Sequence, residues 1–227
     1  MPRWAGAARS LGEQVIVKQC QKADFNPWPD LSPRSREQFH RSGKILYRCV
    51  DPAERLYRLV YGHVKLSRYL SDGRVQILRF CDPGDFFGLP QGRHPDHGCE
   101  AEGVTEVLVQ SIAYAEVEQA GDRDVRVERW FTGLVTEELT RSRALLMMLG
   151  HFRAEERLDY FLRHEAHRTP GGEIHLPMLM SDLAIYLALR HETLSRVITQ
   201  MTQRRVLRRL PNKRFVYRPE PVRQATG

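Results

Sequence analysis

Residues 178–218 constrain the fold more than any other stretch of this chain. Met178-Leu-Met-Ser-Asp-Leu-Ala-Ile-Tyr-Leu-Ala-Leu-Arg-His-Glu-Thr-Leu-Ser-Arg196-Val-Ile reads as two short helices joined by a tight turn, with a basic tail behind them. Leu183, Ala184, Leu187, Leu189, Leu194 and Val197 supply apolar pins between the two. This is the helix-turn-helix pattern, in which the second helix enters the DNA major groove. Glu192, Ser195 and Arg196 stand at i, i+3 and i+4, so they share one outward face of that helix. Arginine pairs with guanine O6 and N7, and a carboxylate accepts from cytosine N4. The plainer alternative is an i,i+4 ion pair between Glu192 and Arg196 on a solvated helix. Arg190, His191 and Thr193 lie close enough to reach phosphates or flanking bases. Ser181 is expected to cap the first helix and present its amides to a phosphate.

Ala188 sits where such units usually carry glycine in a left-handed turn, a departure costing on the order of 1 kcal/mol. Beyond the second helix, Arg204–Tyr217 fits a two-stranded wing turning at Asn212-Lys213. Its Arg208, Arg209, Lys213 and Arg214 are candidates for phosphate contact. Charge agrees with that placement. The 227-residue chain is formally +7, yet residues 1–150 hold 21 Lys+Arg against 20 Asp+Glu, while residues 151–227 hold 14 against 8. A basic surface beside a groove-reading helix is the electrostatic footprint of nucleic-acid binding.

The rest of the chain changes period twice. Residues 1–30 read as an irregular lead-in, and Ser32-Pro33 reads as the start of a short helix running to about Arg41. Short β-prone runs follow at Ile45–Val50, Leu56–Tyr61, Val64–Leu70, Val75–Phe80 and Val107–Ile112, broken by glycines. They predict an antiparallel sandwich or barrel, with a hairpin at Ser71-Asp-Gly73. Residues 124–150 turn helical. Val127, Phe131, Leu134, Val135, Leu139, Leu145, Leu146 and Leu149 form an apolar stripe, interrupted by Arg141 and Ser142. Part of such a stripe packs within its own chain, and the sharper reading is a two-fold seam with a second copy.

The segment His191-Glu-Thr-Leu-Ser-Arg196 resembles the recognition helix of the Crp/Fnr superfamily, on its FNR/FixK side, where Crp-type helices typically have glycine at the place of Ser195. Two further segments are similar to that family: Asp82-Pro-Gly-Asp-Phe-Phe-Gly88, like its P-G-D-x-x-G turn, and Ala154-Glu-Glu-Arg-Leu158, like the opening of FNR-type DNA-binding domains. The resemblance covers residues from about 43 to 218. It implies an α+β fold: a β-roll over 31–122, a dimerisation helix over 123–150 and a winged helix over 151–227. It also implies a homodimeric transcription regulator, activator or repressor, that binds double-stranded DNA at TTGAT-N4-ATCAA sites and meets RNA polymerase, for instance through loops such as Asp82–Asp85 or Thr169–Gly172.

The sensory half points mainly to exclusions. After the P-G-D-x-x-G turn, cyclic-nucleotide-binding relatives place an Arg followed by Ser or Thr, and this chain has Arg93 without the hydroxyl. A cyclic nucleotide is therefore not expected. Cys20, Cys49, Cys81 and Cys99 are far apart and lack the close cysteine set of an iron–sulfur regulator, so no cluster is expected either. His94, His97 and Cys99 form the one metal-like spacing, a possible zinc, copper or haem site, set against a solvated Pro/Gly-rich loop. A cupin-like metalloenzyme using His94 and His97 lacks the further ligands such a site needs. A pure ligand-binding module leaves the basic C-terminal third unexplained. No apolar run reaches membrane-spanning length and the N-terminus lacks the apolar core of a signal peptide, so a cytoplasmic protein is expected.

Overall fold

A computed structural model describes residues 25–90, 95–168 and 173–219. The expected Cys20, Arg93, His94 and the Thr169–Gly172 loop lie outside them. The contacts divide the chain into two compact units, with the division between Ser142 and Arg143 inside one long helix. Each unit is built around its own apolar core.

The first unit holds two four-stranded antiparallel sheets, as expected for a β-roll. One has the order β1-β8-β3-β6, with β1 at Arg36–His40, β3 at Arg55–Tyr61, β6 at Phe86–Phe87 and β8 at Val107–Ala113. The other is β2-β7-β4-β5, with β2 at Ile45–Tyr47, β4 at Val64–Tyr69, β5 at Val75–Cys81 and β7 at Glu100–Gly103. Both sheets feed one core of Tyr47, Leu59, Val64, Leu66, Cys81, Phe87, Cys99, Ala101, Val107 and Val109. Each of its Val, Leu and Phe side chains, fully removed from water, contributes roughly 1.5–3 kcal/mol. Gly73 turns the β4–β5 hairpin at φ +84°, as its sequence suggests. At Gly62, φ is +85° and a Cβ would collide with the Glu106 carbonyl oxygen, so only glycine fits.

A second cluster closes the end of the roll. Trp28, Leu31, Leu56, Ile112, Val117, Val127 and Trp130 pack together, with Phe131 and Leu134 against them. It joins helix α1 (Trp28–Leu31) and helix α2 (Tyr114–Arg123) to the start of helix α3 (Val125–His151). Residues 32–41 do not form the expected helix. A short 3-10 turn at Ser32–Arg34 gives way to β1, which pairs with β8 from Arg36–Ser111 to His40–Val107. The pairing with a buried strand overrides the helix-start signal of Ser32-Pro33. Trp28, assigned to the irregular lead-in, is only 2% exposed and donates its Nε1–H to Gln110 at 2.9 Å.

The His97–Cys99 segment also departs from expectation. It is not a solvated loop: His97 is 2% exposed, its ring stacked on Tyr47 at 3.6 Å, and Cys99 lies 4.0 Å from the Tyr47 hydroxyl. Burial drives the His97 pKa from 6.5 down to about 4, against the pull of the Asp51 and Asp96 carboxylates. Burial likewise pushes the Cys99 thiol up to about 11 and the Cys81 thiol up to about 12, so both stay protonated at neutral pH.

Because folded His97 binds its proton less tightly than the unfolded chain, its contribution is fully present above pH 6.5 and is lost as pH falls toward about 4. His97→Phe keeps a ring against Tyr47 and removes that linkage. Denaturant midpoints measured across this window should fall less steeply for the variant. Parallel pH profiles for the two proteins would show that His97 does not titrate there.

Candidate nucleic-acid interface

The second unit is a three-helix arrangement with a small sheet. Helix α4 (Ala154–Arg168), helix α5 (Met180–Tyr186) and helix α6 (His191–Gln203) meet a sheet of order β10-β11-β9, with β9 at Glu173–His175, β10 at Leu207–Leu210 and β11 at Arg214–Tyr217. The apolar pins are where the sequence puts them. Leu183, Leu187 and Leu194 are fully buried, Ala184 and Val197 nearly so, and Met201 adds a further turn of the same face at 1% exposed.

The turn between α5 and α6 is a Schellman closure. Leu189 N–H donates to the Ala184 carbonyl at 2.9 Å and Ala188 N–H to Ile185 at 3.0 Å. Ala188 takes φ +50°, the left-handed conformation that its glycine-like position demands. The same closure ends α6, where Val206 N–H reaches Met201, Arg205 N–H reaches Thr202, and Arg205 has φ +61°. Ser181 is not the cap. Leu179 occupies the N-cap of α5 without a side-chain bond, and Ser181 is an exposed residue within the first turn.

Burial on one face of α6 leaves the other face open. His191, Glu192, Ser195, Arg196, Thr199, Gln200 and Gln203 line it together. Glu192, Ser195 and Arg196 are exposed, and no ion pair between Glu192 and Arg196 occurs among the described residues. The i,i+4 alternative is therefore not the arrangement seen here. Thr199, Gln200 and Gln203 extend the face, continuing Glu192–Arg196–Gln200 and Ser195–Thr199–Gln203 at steps of four. The helical period alone could have identified them. Thr193 is half-buried, on the flank of this face, and Arg190 is exposed at the N-cap of α6.

The wing turns at Asn212 and Lys213, with φ +59° and +56°, as a primed hairpin turn requires. Its cations divide. Arg208 and Arg209 are exposed on β10. Arg214 is ion-paired with Glu173, and Lys213 donates to the Pro177 carbonyl at 2.9 Å. The wing is anchored to α4 by the Tyr217 hydroxyl, which donates to Asp159 at 2.5 Å.

A recess in the β-roll is the other candidate site. It is lined by Tyr47, Leu66, Phe87 to Pro90, His97, Cys99, Val135 and Glu138. No cation is among these residues, and the Glu138 carboxylate is held by the buried Arg79 guanidinium at 2.9 Å, which also meets Asp85 at 3.0 Å. Among the described residues no group of three or more His, Cys, Asp and Glu side chains is placed to hold a metal ion.

Two family models match: a cyclic nucleotide-binding domain over residues 37–124 and a Crp-like helix-turn-helix domain over residues 156–220. The nitrogen fixation regulation protein FixK of Rhizobium meliloti (strain 1021) is 30% identical over 202 residues, covering 88% of this chain and 89% of that protein. The FixK of Azorhizobium caulinodans is 30% identical over 224 residues, covering 94% and 84%. The solved structure of FixK2 from Bradyrhizobium japonicum superposes with a TM-score of 0.77 at 33% identity, over 82% of this chain and 93% of that one.

Ala188→Gly should stabilise the second unit. Relief of the left-handed alanine returns about 1–2 kcal/mol, less about 0.4–1 for the more flexible unfolded glycine. A net gain of about 0.5–1 kcal/mol is expected in denaturant unfolding. A loss of stability would mean that the alanine methyl makes compensating contacts in this turn.

Proposed function

This chain belongs to the Crp/Fnr family of transcription regulators, on its FixK-like branch, and from that premise we propose that it acts as a homodimer on palindromic TTGAT-N4-ATCAA operators. The observation that carries the proposal is the open face of α6. Arg196 is long, exposed and not paired with Glu192, which suits a bidentate contact to guanine. Glu192 stands one turn earlier to accept from cytosine, and Ser195 is small enough to lie against a thymine edge. Two such helices about 34–36 Å apart would read the two halves of the palindrome. Arg190, His191, Thr193, Ser181, Arg208 and Arg209 are proposed as phosphate or flanking contacts. Lys213 and Arg214 are secondary, because each already holds a protein partner.

The dimer seam is proposed along α3, in a narrower form than the sequence stripe. Val127 is buried in its own unit, and Phe131 and Leu134 pack against the same cluster. The remaining residues step by four and three: Val135 at 38% exposed, Leu139 at 49%, Ser142, Leu146 at 72%, then Leu149, with Leu145 alongside. This 4-3 alternation is that of a two-stranded coiled seam.

Activation would involve RNA polymerase. The Asp82–Asp85 turn is a weak candidate for that contact, because Asp82 holds His63 at 2.8 Å and Asp85 holds Arg79. We further propose that no cyclic nucleotide is needed, since the described lining of the recess offers a carboxylate and no cation to a phosphate. A buried, protonated Cys99 and a His97 ring stacked flat on Tyr47 give a metal or haem poor ligands. No helix among the described residues is long and apolar enough to cross a membrane, and a cytoplasmic location suits a DNA-binding regulator.

Arg196→Ala should abolish specific binding while leaving weak, salt-sensitive association, since one good bidentate pair is worth about 1–3 kcal/mol per half-site. Ser195→Gly should narrow the preference for TTGAT over TGTGA with folding intact. Competition titrations at one salt concentration measure both, and an unchanged ranking for Ser195→Gly would remove Ser195 from base reading. Wild-type affinity should fall steeply with salt, by about 0.9 in log–log slope per phosphate neutralised.

Leu146→Glu should shift the protein toward monomer in sedimentation at micromolar concentration and weaken operator binding. A variant that stays dimeric would place the seam elsewhere.

A further inference from the structure

Helix ends leave backbone carbonyls without partners, and one side chain in the second unit collects them from two helices at once. The Arg157 guanidinium donates from Nη2 to the Leu149 carbonyl at 2.8 Å and from Nε to the Phe152 carbonyl at 2.9 Å. From Nη1 it donates to Leu187 at 2.9 Å and to Ala188 at 3.4 Å. Leu149 lies in the last turn of α3, and Phe152 directly follows its end. Leu187 and Ala188 are the C-cap and left-handed residue closing α5, immediately before Leu189, Arg190 and α6. A cation at two helix C-termini also opposes two negative dipole ends. The planar fork can span both ends, and an ammonium cannot.

We propose that Arg157 is a positioning residue for operator recognition: it fixes the recognition helix against the last turn of the dimer helix, and so sets which half-site spacing the protein accepts. This rests on the proposed reading of two recognition helices joined through α3. The chain itself passes from α3 to α4 through the two-residue link Phe152-Arg153. Each base pair added between half-sites moves them apart by about 3.4 Å and turns them by about 35°. A tie at the root of α6 is where such a displacement must be resisted. The hydrogen bonds of Arg157 go to Leu149, Phe152, Leu187 and Ala188 and not to residues lining the outward face, so half-site sequence preference should not depend on it.

The test uses the full-length protein and duplexes in which two TTGAT half-sites are separated by N3, N4, N5 or N6. The wild type should favour N4 over its neighbours by at least about tenfold, the discrimination that one mismatched base pair commonly confers. Arg157→Lys should retain the preference for TTGAT over TGTGA while the N4 advantage falls to about twofold. Arg157→Met keeps the stem without the charge, and serves if the lysine variant does not fold. Glu155→Ala is the control, since it breaks the Glu155–Arg204 ion pair between α4 and the end of α6 without touching α3. It should lower thermal stability and leave the spacer ratio as in the wild type. A wild type indifferent to spacer length overturns the palindrome reading, and the role of Arg157 with it. A wild type that discriminates, matched by Arg157→Lys or equally degraded in Glu155→Ala, overturns the role of Arg157 alone.

Discussion

Helix α6 can offer polar side chains to DNA only because its opposite face is committed to an apolar core. Leu194, Val197 and Met201 are at most 5% exposed, while Glu192, Ser195 and Arg196 on the facing side are open to solvent. The two faces are one fact of helical spacing. The core fixes the rotation of the helix about its axis, and that rotation decides which residues stand on its open face. Removing the pins would blur specificity before it removed charge. The flanking turns serve the same end. Two Schellman closures, at Ala188 and Arg205, fix where α6 starts and stops, and both use residues that bear the left-handed strain of a side chain.

Much of this was legible in the sequence because local signals and tertiary need agree there. The 3.6-residue spacing of α5 and α6 is reinforced by the turn between them, and the primed hairpin at Asn212-Lys213 follows from turn chemistry alone. Legibility failed where the two conflict. Arg36–His40 reads Arg-Glu-Gln-Phe-His, rich in helix formers, yet it is an edge strand because β8 supplies hydrogen-bond partners. Glu100–Gly103 carries no β-branched residue and forms β7 between two neighbours. The Ser181 cap failed for a smaller reason: α5 begins two residues earlier than its capping signal suggests, with Leu179 at the cap position.

The β-roll shows why spacing is a weak guide to a site. His97 and Cys99 have metal-like separation, but a strand end carries them into the core, where Tyr47 covers the imidazole face. Burial keeps the Cys99 thiol protonated, whereas a metal takes the thiolate, and the His97 ring face is occupied by Tyr47. The residues that do hold charge in this half are arranged differently. Arg79 sits nearly buried between Asp85, beside the P-G-D-x-x-G turn, and Glu138 on α3, while Arg141 pairs with Glu137 one turn along. A buried arginine between two carboxylates joins a turn of the roll to a helix, which is a structural use of charge rather than a ligand-binding one.

The basic excess of the last 77 residues is likewise divided once partners are counted. Arg157 is committed to carbonyls, Arg204 to Glu155, Arg214 to Glu173 and Lys213 to the Pro177 carbonyl. These cations hold the second unit together; Arg157 and Lys213 keep their charge in its long-range field because carbonyls do not neutralise it, whereas Arg204 and Arg214 are offset by their carboxylates. Arg190, Arg196, Arg208 and Arg209 remain exposed, on the start and face of α6 and on β10. Long-range attraction therefore comes from the whole unit, whereas short-range contact falls to a few side chains. Attraction to phosphate can draw a protein to any duplex, and among the described arginines Arg196 is the one that combines exposure with a place on the open face of α6. On the proposed reading, affinity and specificity rest on different arginines, and the fold keeps them apart by assigning several others to its own backbone and carboxylates.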